Sequence, residues 1–462
     1  MSSSADVVDD GDHEQIVARV AAIDIGKRIG KVCTRLPHET KEGRRHTRVW
    51  DVPSTTAAII ELADHLACQG VERIVLEATS DYWRPFYYLL EARGLAVWLV
   101  NARDVKNVPG RPKTDKLDAV WLAKLAERGM LRPSFVPPPE IRRLRDLTRL
   151  RHDLTAERIR HKQRVEKILE DALIKLSTVL TDIFGVSGRA MLDALVAGER
   201  DPKKLAALAR GPIKATRTEL AAALTGQFTD HHAYLVETLL DQIDGLNRRI
   251  EDLTTRIDAA IAALPTPDHG DSPSAPMPPT ASLGAAPLDG GTPPRADLLD
   301  RLDEIPGISR QTAQVIVAEI GTCMTQFPTS GHLVSWAKLS PLTIQSGATT
   351  RRGKTGKGNR YLRGALGEAA AAAAKTQTFL GARYRRLVKR RGKLKALVAV
   401  ARSILIIVWQ LPSDPTARFH DLGADYHTSR LNTDRRKRAL LRELAGLGAT
   451  EAEITAVFAG AA

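Results

Sequence analysis

Cysteine is scarce in this chain: Cys33, Cys68 and Cys323 are the only three, and none belongs to a Cys-x-x-Cys pair. This spacing argues against a disulfide framework and against a zinc ribbon, and it fits a reducing compartment. The first residues are polar and acidic and lack the apolar core of a signal peptide. The most hydrophobic run, Ile404 to Trp409, is too short to span a bilayer and predicts a buried helix. We therefore expect a cytoplasmic protein with no membrane partner.

Acidic residues are outnumbered by basic ones, with 54 Asp and Glu against 68 Lys and Arg, which gives a formal net charge of +14. An excess of this size attracts polyanions and makes nucleic acid the leading partner, although a merely soluble basic protein is the alternative. The 462 residues exceed one typical core, so we expect two or three domains.

A mixed α/β domain is predicted over residues 17–138, where short apolar segments alternate with turns and amphipathic stretches. Two strands flank a turn at Gly26 to Gly30, and later segments add crossover units. The first two predicted strands run from Val17 to Asp24 and, after the turn, on to Leu36. Further strands are predicted for Thr47 to Val52, Arg73 to Leu76 and Ala96 to Val100. The predicted helices are Thr55 to Cys68 and about Asp81 to Arg93.

Helices are predicted for residues 139–264. Apolar residues recur there at alternating spacings of four and three, from Val165 to Val179 and from Leu239 to Leu264. Such heptads specify long helices that form a coiled coil with each other or with a second copy of the chain. An antiparallel hairpin within one chain and a dimer are therefore both compatible with the pattern.

Proline marks the next boundary, because residues 265–294 contain nine prolines. A segment of this composition buries too little apolar surface to offset its ordering entropy. We predict a flexible linker over 265–297, a second compact domain over 298–411 and a charged helical extension over 412–462.

Four acidic residues lie at positions that suit a metal site. Asp24 ends an apolar strand in AAIDIGK, and Glu77 ends another in RIVLEAT. Asp115 and Asp118 are three residues apart at the start of a predicted helix, which puts them on one face. Carboxylates gathered in one place repel each other unless cations lie between them, and paired divalent ions promote phosphodiester chemistry. The set predicts a ribonuclease-H-like nuclease core.

Each acid alone has another explanation. Asp115 suits the N-cap of the helix that follows, whereas a charge at the end of a buried strand has no structural benefit. The acid-then-glycine turn in IDIGK also occurs in sugar-kinase and actin-like ATPases. Those enzymes need a second phosphate loop and an adenosine-binding glycine pair, and we find neither in this sequence.

The predicted domain at 298–411 is strongly basic. Its first part, Leu302 to Gly321, resembles a helix-hairpin-helix element that presents backbone N–H groups to a phosphate, and a simple helical hairpin is the alternative. Two basic runs follow, a pliable glycine-containing loop at 351–363 and a segment at 383–395, and a solvated charged face is the other interpretation of each. The residues expected to contact phosphates are Arg351, Arg352, Lys354, Lys357, Arg360, Arg363, Arg385, Arg386, Lys389 and Arg390.

Ser346 lies just ahead of the first basic run, next to Gly347. A Ser-Gly pair usually marks a turn. A serine hydroxyl also becomes a nucleophile where cationic side chains and a metal stabilise the charge that develops. Both interpretations apply to Ser346.

The ordered motifs resemble those of one enzyme family. IDIGK, VLEAT, KTDKLDA at 113–119, EIPGIS with VIVAEIG, SWAKLSP, Ser346-Gly347 and GNRYLRGAL are together similar to the DEDD-type insertion-sequence transposases of family one-ten, which are also called bridge-RNA-guided or seekRNA-guided recombinases. The likeness covers about residues 17–180 and 298–410. The proline-rich linker is longer than the family requires, and the tail after Pro412 is additional.

This resemblance implies a resolvase-like domain that holds magnesium, or manganese in its place, through Asp24, Glu77, Asp115 and Asp118. It also implies that Ser346 is the nucleophile, which forms a phosphoserine link to cleaved DNA before strand exchange. The implied partners are donor and target DNA, a structured guide RNA that pairs with both, and further copies of the chain in a dimer or tetramer. A nucleoid-associated protein is expected.

Three other activities compete with this interpretation. A junction-resolving hydrolase would use the four acids and water, with Ser346 structural, and would form no covalent adduct. A catalytically silent nucleic-acid-binding protein would have no use for four acids. A tyrosine recombinase needs an Arg-His-Arg-Tyr constellation that the sequence does not offer.

Overall fold

The computed structural model describes residues 17–38, 40, 44–78, 80–101, 115–211, 213–264, 296–347, 349–426, 442, 443 and 446. They form two compact units, which meet in the sequence between Val136 and Pro137. The linker predicted from residue 265, up to residue 295, lies outside the described residues, and so does most of the helix predicted from Arg435 to Phe458.

The first unit is a five-stranded sheet with helices on both faces. Its strand order is β3-β2-β1-β4-β5, with β2 antiparallel to both neighbours and with β1, β4 and β5 parallel. This order and orientation are those of a ribonuclease-H-like fold, so the class predicted for this domain is confirmed. Its elements are β1 (Val20–Ile25), β2 (Ile29–Pro37), β3 (Arg45–Pro53), α1 (Thr56–Cys68), β4 (Arg73–Glu77), α2 (Trp83–Ala92), β5 (Val97–Val100) and α3 (Asp115–Glu127).

Alternation along β1 produces two layers of core. Ala21, Ile23 and Ile25 contribute to a buried cluster with α1 and α2, whereas Ala22 contributes to a second cluster with α3. Successive side chains of a strand point to opposite faces, so a strand covered on both sides is apolar at nearly every position. This explains why the sequence of β1 is almost continuously hydrophobic.

The direction of α3 is fixed at its C-terminal end. Glu127 accepts hydrogen bonds from Arg35 Nε at 2.7 Å and from Arg45 Nε at 2.6 Å, and its carbonyl accepts one from the amide of Val17. Arg35 pairs with Val20 at the start of β1. Helix α3 therefore ends where β1 begins, and it runs antiparallel to β1.

The second unit is mostly helical, as predicted for the C-terminal region. Its elements are α4 (Pro139–Asp171), α5 (Leu176–Val179), α6 (Val186–Val196), α7 (Pro202–Ala207), α8 (Arg217–Ala223), α9 (Asp230–Ala262), α10 (Ala296–Asp303), α11 (Arg310–Ile320), α12 (Ser330–Trp336), β6 (Pro341–Ser346), β7 (Thr349–Thr355), α13 (Arg360–Ala373), α14 (Phe379–Arg391) and α15 (Lys393–Ser413).

Helices α4 and α9 pack against each other in opposite directions within the chain. The guanidinium of Arg158 in α4 donates to the side-chain oxygen of Asn247 in α9 at 2.9 Å. Nε2 of His232, at the start of α9, lies 3.1 Å from a carboxylate oxygen of Asp171 at the end of α4. One of the two pairings compatible with the heptads is therefore present inside a single chain. Pairing between copies is still a prediction.

The heptad pattern wrongly extended the first of these helices to Val179. Helix α4 ends at Asp171, and Leu173 has a φ of 62°, in the left-handed region that a right-handed helix cannot pass through. Ala172 and Leu176 are buried in one cluster with residues of α6, α8 and α9. Their apolar character comes from this short-helix cluster, and not from a continuation of α4.

Helix α15 is the one helix among the described residues that is long and apolar enough to cross a membrane, a test that the core helices of many other proteins also pass. It packs against α10, α12, α13 and α14, and Ile404 and Val408 are fully buried, as expected for a core helix. Arg301 of α10 donates to the carbonyls of Leu411, Asp414 and Ala417 near its C-terminal end. Helix α15 is the central helix of this part of the unit.

Candidate active site

Two of the predicted acids lie next to each other at one edge of the sheet in the first unit. Ile23 of β1 pairs with Leu76 of the parallel strand β4, and the next residues along the two strands are Asp24 and Glu77. By strand alternation, both acids share the face that α3 covers. Glu77 is buried, and Asp24 is half-buried.

Asp118 reaches the same edge through α3. It lies one turn before Leu122, which is buried against the sheet, so the two residues share a helix face. Since α3 runs antiparallel to β1, its first turn lies towards the end of the sheet that holds Asp24 and Glu77. Asp115 is the first residue of α3, and its side chain lies outside the described part of the chain.

The donor set suits a hard divalent cation, because magnesium prefers carboxylate oxygens. Among the side chains that the structure describes, no three His, Cys, Asp or Glu residues lie close enough together to hold a metal ion. Asp24, Glu77 and Asp118 nevertheless share one edge and one face, and Asp115 is the fourth predicted ligand. The residues therefore fit magnesium by type and by their places in the fold.

Lys31 lies beside this group and is not among the residues predicted from the sequence. It pairs with Asp24 across β1 and β2, and its Nζ lies 2.5 Å from an oxygen of Asp51 on β3. Side chains directly opposite on neighbouring strands interact, so a positive charge adjoins the acidic edge. The register of the hairpin around Gly26 was the signal that could have found it.

Ser346 lies at the tip of a hairpin in the second unit. It is the last residue of β6 and pairs with Thr349, the first residue of β7, which leaves a two-residue turn between them. Gly347 has a φ of 54°, which tight hairpin turns require and which glycine adopts without strain. The Ser-Gly pair therefore marks a turn. The side chain of Ser346 lies outside the described part of the chain.

The structure corrects the prediction of a pliable loop at the first basic run. Its first residues belong to β7, where Arg351 pairs with Ile344 and Arg352 pairs with Thr343 of β6. β-branched residues in the two segments favour extended structure, and the ladder fixes a backbone that glycine alone would leave flexible. The side chains of Arg351, Arg352 and Lys354 lie outside the described residues.

The other predicted phosphate contacts fall into two groups. Arg363 donates to the carbonyl of Gly356 at 2.7 Å, and Arg385 donates to the carbonyl of Thr376 at 2.9 Å, so both guanidinium groups stabilise the chain around α13. Exposed side chains form the second group, namely Lys357, Arg360, Arg386, Lys389 and Arg390.

Helices α10 and α11 are joined by a turn at Gly307, an arrangement that both the helix-hairpin-helix element and the simple helical hairpin require. Gly307 in this turn has a φ of 92°, and a Cβ at this position would lie 2.2 Å from the carbonyl oxygen of Ala369 in α13. Glycine is therefore needed here for close packing as well as for the turn. Phosphate binding by this element stays a prediction.

Two family models match the chain over different ranges. Residues 21–174 match the DEDD-type IS110 transposase model, and residues 299–385 match the model described as transposase IS116/IS110/IS902 family. Together the matches span just over half of the 462 residues. The chain belongs to the IS110 family of transposases. The resemblance drawn from the motifs is confirmed, and the family is one of enzymes that cleave and recombine DNA.

Two solved structures of RuvC from Thermus thermophilus are also similar to part of this transposase. One is 14% identical with a TM-score of 0.20, and the other, determined in complex with a Holliday junction substrate, is 17% identical with a TM-score of 0.19. Each alignment covers 25% of this chain and 99% of the RuvC chain. No curated protein sequence matches the transposase.

A buried carboxylate fixes the start of α13, which follows the Ser346 hairpin in this transposase. Glu319 of α11 is fully buried and receives two hydrogen bonds from Arg149 of α4, at 2.8 and 2.9 Å. Arg145 lies 3.3 Å from the same carboxylate, and Asn359 donates to it through its amide nitrogen. The other amide atom of Asn359 accepts from the backbone of Tyr361 and so caps α13.

This cluster ties three helices together and holds two arginines in place. Burial disfavours the charged form of Arg149, but the hydrogen bonds and the negative charge of Glu319 outweigh that effect and raise the pKa of Arg149. The guanidinium carbons of Arg149 and Arg360 both lie over the ring of Tyr361, 4.7 and 4.6 Å from its centre. Glu319 could not be found from the sequence, because an acid within an amphipathic helix gives no local signal of its partners.

Replacing Glu319 with glutamine is expected to lower the free energy of unfolding of the second unit by about 3 kcal/mol, since it removes the fully buried counter-charge of two half-buried arginines. Urea unfolding followed by far-ultraviolet ellipticity, which reports mainly the helices of this unit, measures the change. Asp252→Asn is the control, because Asp252 forms an exposed pair with Arg256 on α9 and should leave the midpoint unchanged. Equal midpoints for Glu319→Gln and wild type would contradict the role given to this cluster.

Proposed function

We propose that this IS110-family transposase cleaves and rejoins DNA through a covalent intermediate on Ser346, with Asp24, Glu77, Asp115 and Asp118 as magnesium ligands. The observation that carries the proposal is the position of Ser346 at the tip of a hairpin whose second strand is basic. The ladder places the backbone of Ser346 beside the turn and within five residues of Arg351 in the sequence, so basic side chains for a DNA phosphate belong to the same hairpin.

The chemistry is a pair of transesterifications. The Ser346 oxygen attacks a phosphodiester phosphorus, a new phosphorus–oxygen bond forms, and the bond to one deoxyribose oxygen breaks. That oxygen leaves as a hydroxyl and takes the proton. The phosphoserine ester retains the bond energy, so a hydroxyl from another strand reverses the step and rejoins DNA without a further energy source. Arg351, Arg352 and Lys354 of β7 neutralise the phosphate charge that increases during attack.

The acids contribute from rigid elements. Asp24 and Glu77 are held on two hydrogen-bonded parallel strands, and Asp118 is held on a helix packed on the same face. When bound, magnesium supplies Lewis-acid stabilisation of the phosphoryl and leaving oxygens. Rigid supports of this kind keep ligands in a productive geometry. Lys31 limits the repulsion among the acids next to it.

A structured guide RNA and an assembly of two or four copies complete the proposal. The net charge of +14 and the exposed basic residues of α14 support binding to more than one nucleic-acid strand. Sequence choice then resides in base pairing between the RNA and the donor and target DNA, while the protein contacts phosphates. The helical turn at Gly307 is proposed to contribute a phosphate contact.

A junction-resolving hydrolase is the alternative, and one observation favours it. Gly347 has the positive φ of a tight turn, so the Ser-Gly motif is explained by the hairpin without any chemistry at the serine. In that case the acids and water would cut DNA and release free ends.

Denaturing gel analysis of end-labelled DNA incubated with the wild-type chain distinguishes the two. We expect a protein–DNA adduct in the presence of Mg²⁺, its loss in excess chelator and its return with Mn²⁺. Peptide mapping of the adduct should place the phosphate on Ser346. Cut DNA with free ends and no adduct would support the hydrolase, and full activity in chelator would contradict the metal site.

A further inference from the structure

A second helical hairpin concentrates positive charge without compensation. Helices α14 and α15 are joined through the single residue Gly392 and pack against each other. From residue 379 to residue 413 the sequence contains nine Lys or Arg residues and no Asp or Glu. The hairpin therefore offers no carboxylate of its own to any of its cations.

Three arginines of this hairpin, Arg383, Arg386 and Arg402, lie close to each other. Arg383 lies nine residues before Gly392 and Arg402 lies ten residues after it, and in the packed pair of helices Arg402 is close enough for its charge to act on Arg383. Arg386 is one turn from Arg383 on α14, on the same side of the helix. Arg386 and Arg402 are exposed, and Arg383 is half-buried between the helices.

Arg383 has no partner in the described part of the chain. Its Nε is buried and makes no hydrogen bond there, which is costly for a charged group. Burial, followed by the charges of Arg386 and Arg402, lowers the pKa of Arg383. The neighbouring Arg385 shows the contrast, since it donates to the carbonyl of Thr376 and to the side chain of Gln377.

We propose that Arg383, Arg386 and Arg402 form a phosphate-binding site that takes the phosphodiester backbone of a nucleic acid. Guanidinium groups match the oxygens of a phosphate through paired N–H donors, and a bound phosphate supplies the negative charge that the hairpin lacks. The site rests on the proposed function only in requiring a nucleic-acid ligand. It is independent of Ser346 and of the acids in the first unit.

The structure predicts opposite effects of one substitution on stability and on binding. Arg383→Gln removes a half-buried charge whose Nε has no hydrogen-bond partner among the described residues, so in chloride buffer its melting temperature should equal or exceed that of wild type. In inorganic phosphate at the same ionic strength, wild type should gain stability and Arg383→Gln should gain less. Arg391→Gln is the matched control, because it removes the same charge from an exposed position at the end of α14 and should keep the phosphate effect.

Binding measurements with two probes, a short DNA duplex and an RNA stem-loop, test which nucleic acid occupies the site. For a polymer that occupies the site, Arg383→Gln should reduce the slope of log affinity against log salt by about one, and Arg391→Gln should reduce it less. Arg383→Lys, which keeps the charge but loses the paired donors, should fall between wild type and Arg383→Gln. The probe whose salt slope decreases from wild type to Arg383→Lys to Arg383→Gln is the nucleic acid that occupies the site.

Two results would overturn the site. One is an equal loss of binding in Arg383→Gln and Arg391→Gln, which would make the hairpin a diffuse charged face. The other is a lower melting temperature of Arg383→Gln in chloride with an unchanged salt slope, which would make Arg383 structural. Neither readout needs DNA cleavage, so the site and the serine mechanism fail or stand separately.

Discussion

Replacing Ser346 with alanine is expected to abolish both the protein–DNA adduct and strand joining, while noncovalent DNA binding is unchanged. The serine oxygen is the atom that bonds to phosphorus in the proposed intermediate, and removing a nucleophilic serine from a well-studied protease lowers its rate on the order of 10⁶-fold. Magnesium binding should also be unchanged, because the predicted ligands belong to the other unit. Ser346→Cys should retain a trace of adduct, since a thiolate also attacks.

The controls for this experiment are neighbouring hydroxyl residues. Ser340→Ala and Thr343→Ala should both form the adduct, because Thr343 lies three residues along β6, about 10 Å from Ser346 in an extended strand. Thr349→Ala changes the cross-strand partner of Ser346 and should leave the chemistry in place. An adduct that persists in Ser346→Ala and disappears in Ser340→Ala would move the nucleophile to Ser340.

Replacing Asp24 with asparagine or Glu77 with glutamine is expected to abolish DNA cleavage and to preserve the fold. Each change removes a carboxylate from the edge where β1 and β4 end side by side, and it also removes like-charge repulsion there. The loss of cleavage should exceed the ~10–100-fold that removal of an outer-shell partner of a metal ligand typically causes. The rate of adduct formation under saturating Mg²⁺ measures it.

Thermal stability provides a readout of the metal that does not depend on DNA. Wild type should melt at a higher temperature with Mg²⁺ than in chelator, because ligands that bind only the folded state stabilise it. Asp24→Asn should lose this increment, whereas Asp64→Asn, an exposed acid of α1 paired with Arg93, should keep both the increment and full cleavage. An equal increment in Asp24→Asn would exclude Asp24 as a ligand.

Local sequence patterns were sufficient for the first unit. Strand alternation and a helical period specify β1, α1 and β4 within a few residues, and the order of these elements leads to the ribonuclease-H-like fold. The same alternation predicts which face of the sheet Asp24 and Glu77 share. Each acid directly follows an apolar residue, Ile23 or Leu76, and these two residues pair across β1 and β4. Residues close together in the sequence are therefore enough to predict these strands and the face that the two acids share.

Patterns were insufficient where one local signal fits two structures. The apolar spacing at Ala172 and Leu176 suits a continuous helix and also a turn into a short-helix cluster, and only the packing of that cluster shows that the helix ends at Asp171. The glycines of the basic run suggested a loop, but pairing with β6 makes its first half a strand.

The sequence by itself determined the family, the fold of the first unit and the identity of every candidate acid and of Ser346, because each belongs to a short motif with local structure. Tertiary structure alone decided that α3 runs antiparallel to β1 and so carries Asp118 to the acidic edge, and that Glu319 meets arginines about 170 positions earlier in the chain. It alone placed Arg383 beside Arg402. Long-range charge pairing depends on how packed helices align, and hydrophobic contacts elsewhere in the chain fix that alignment.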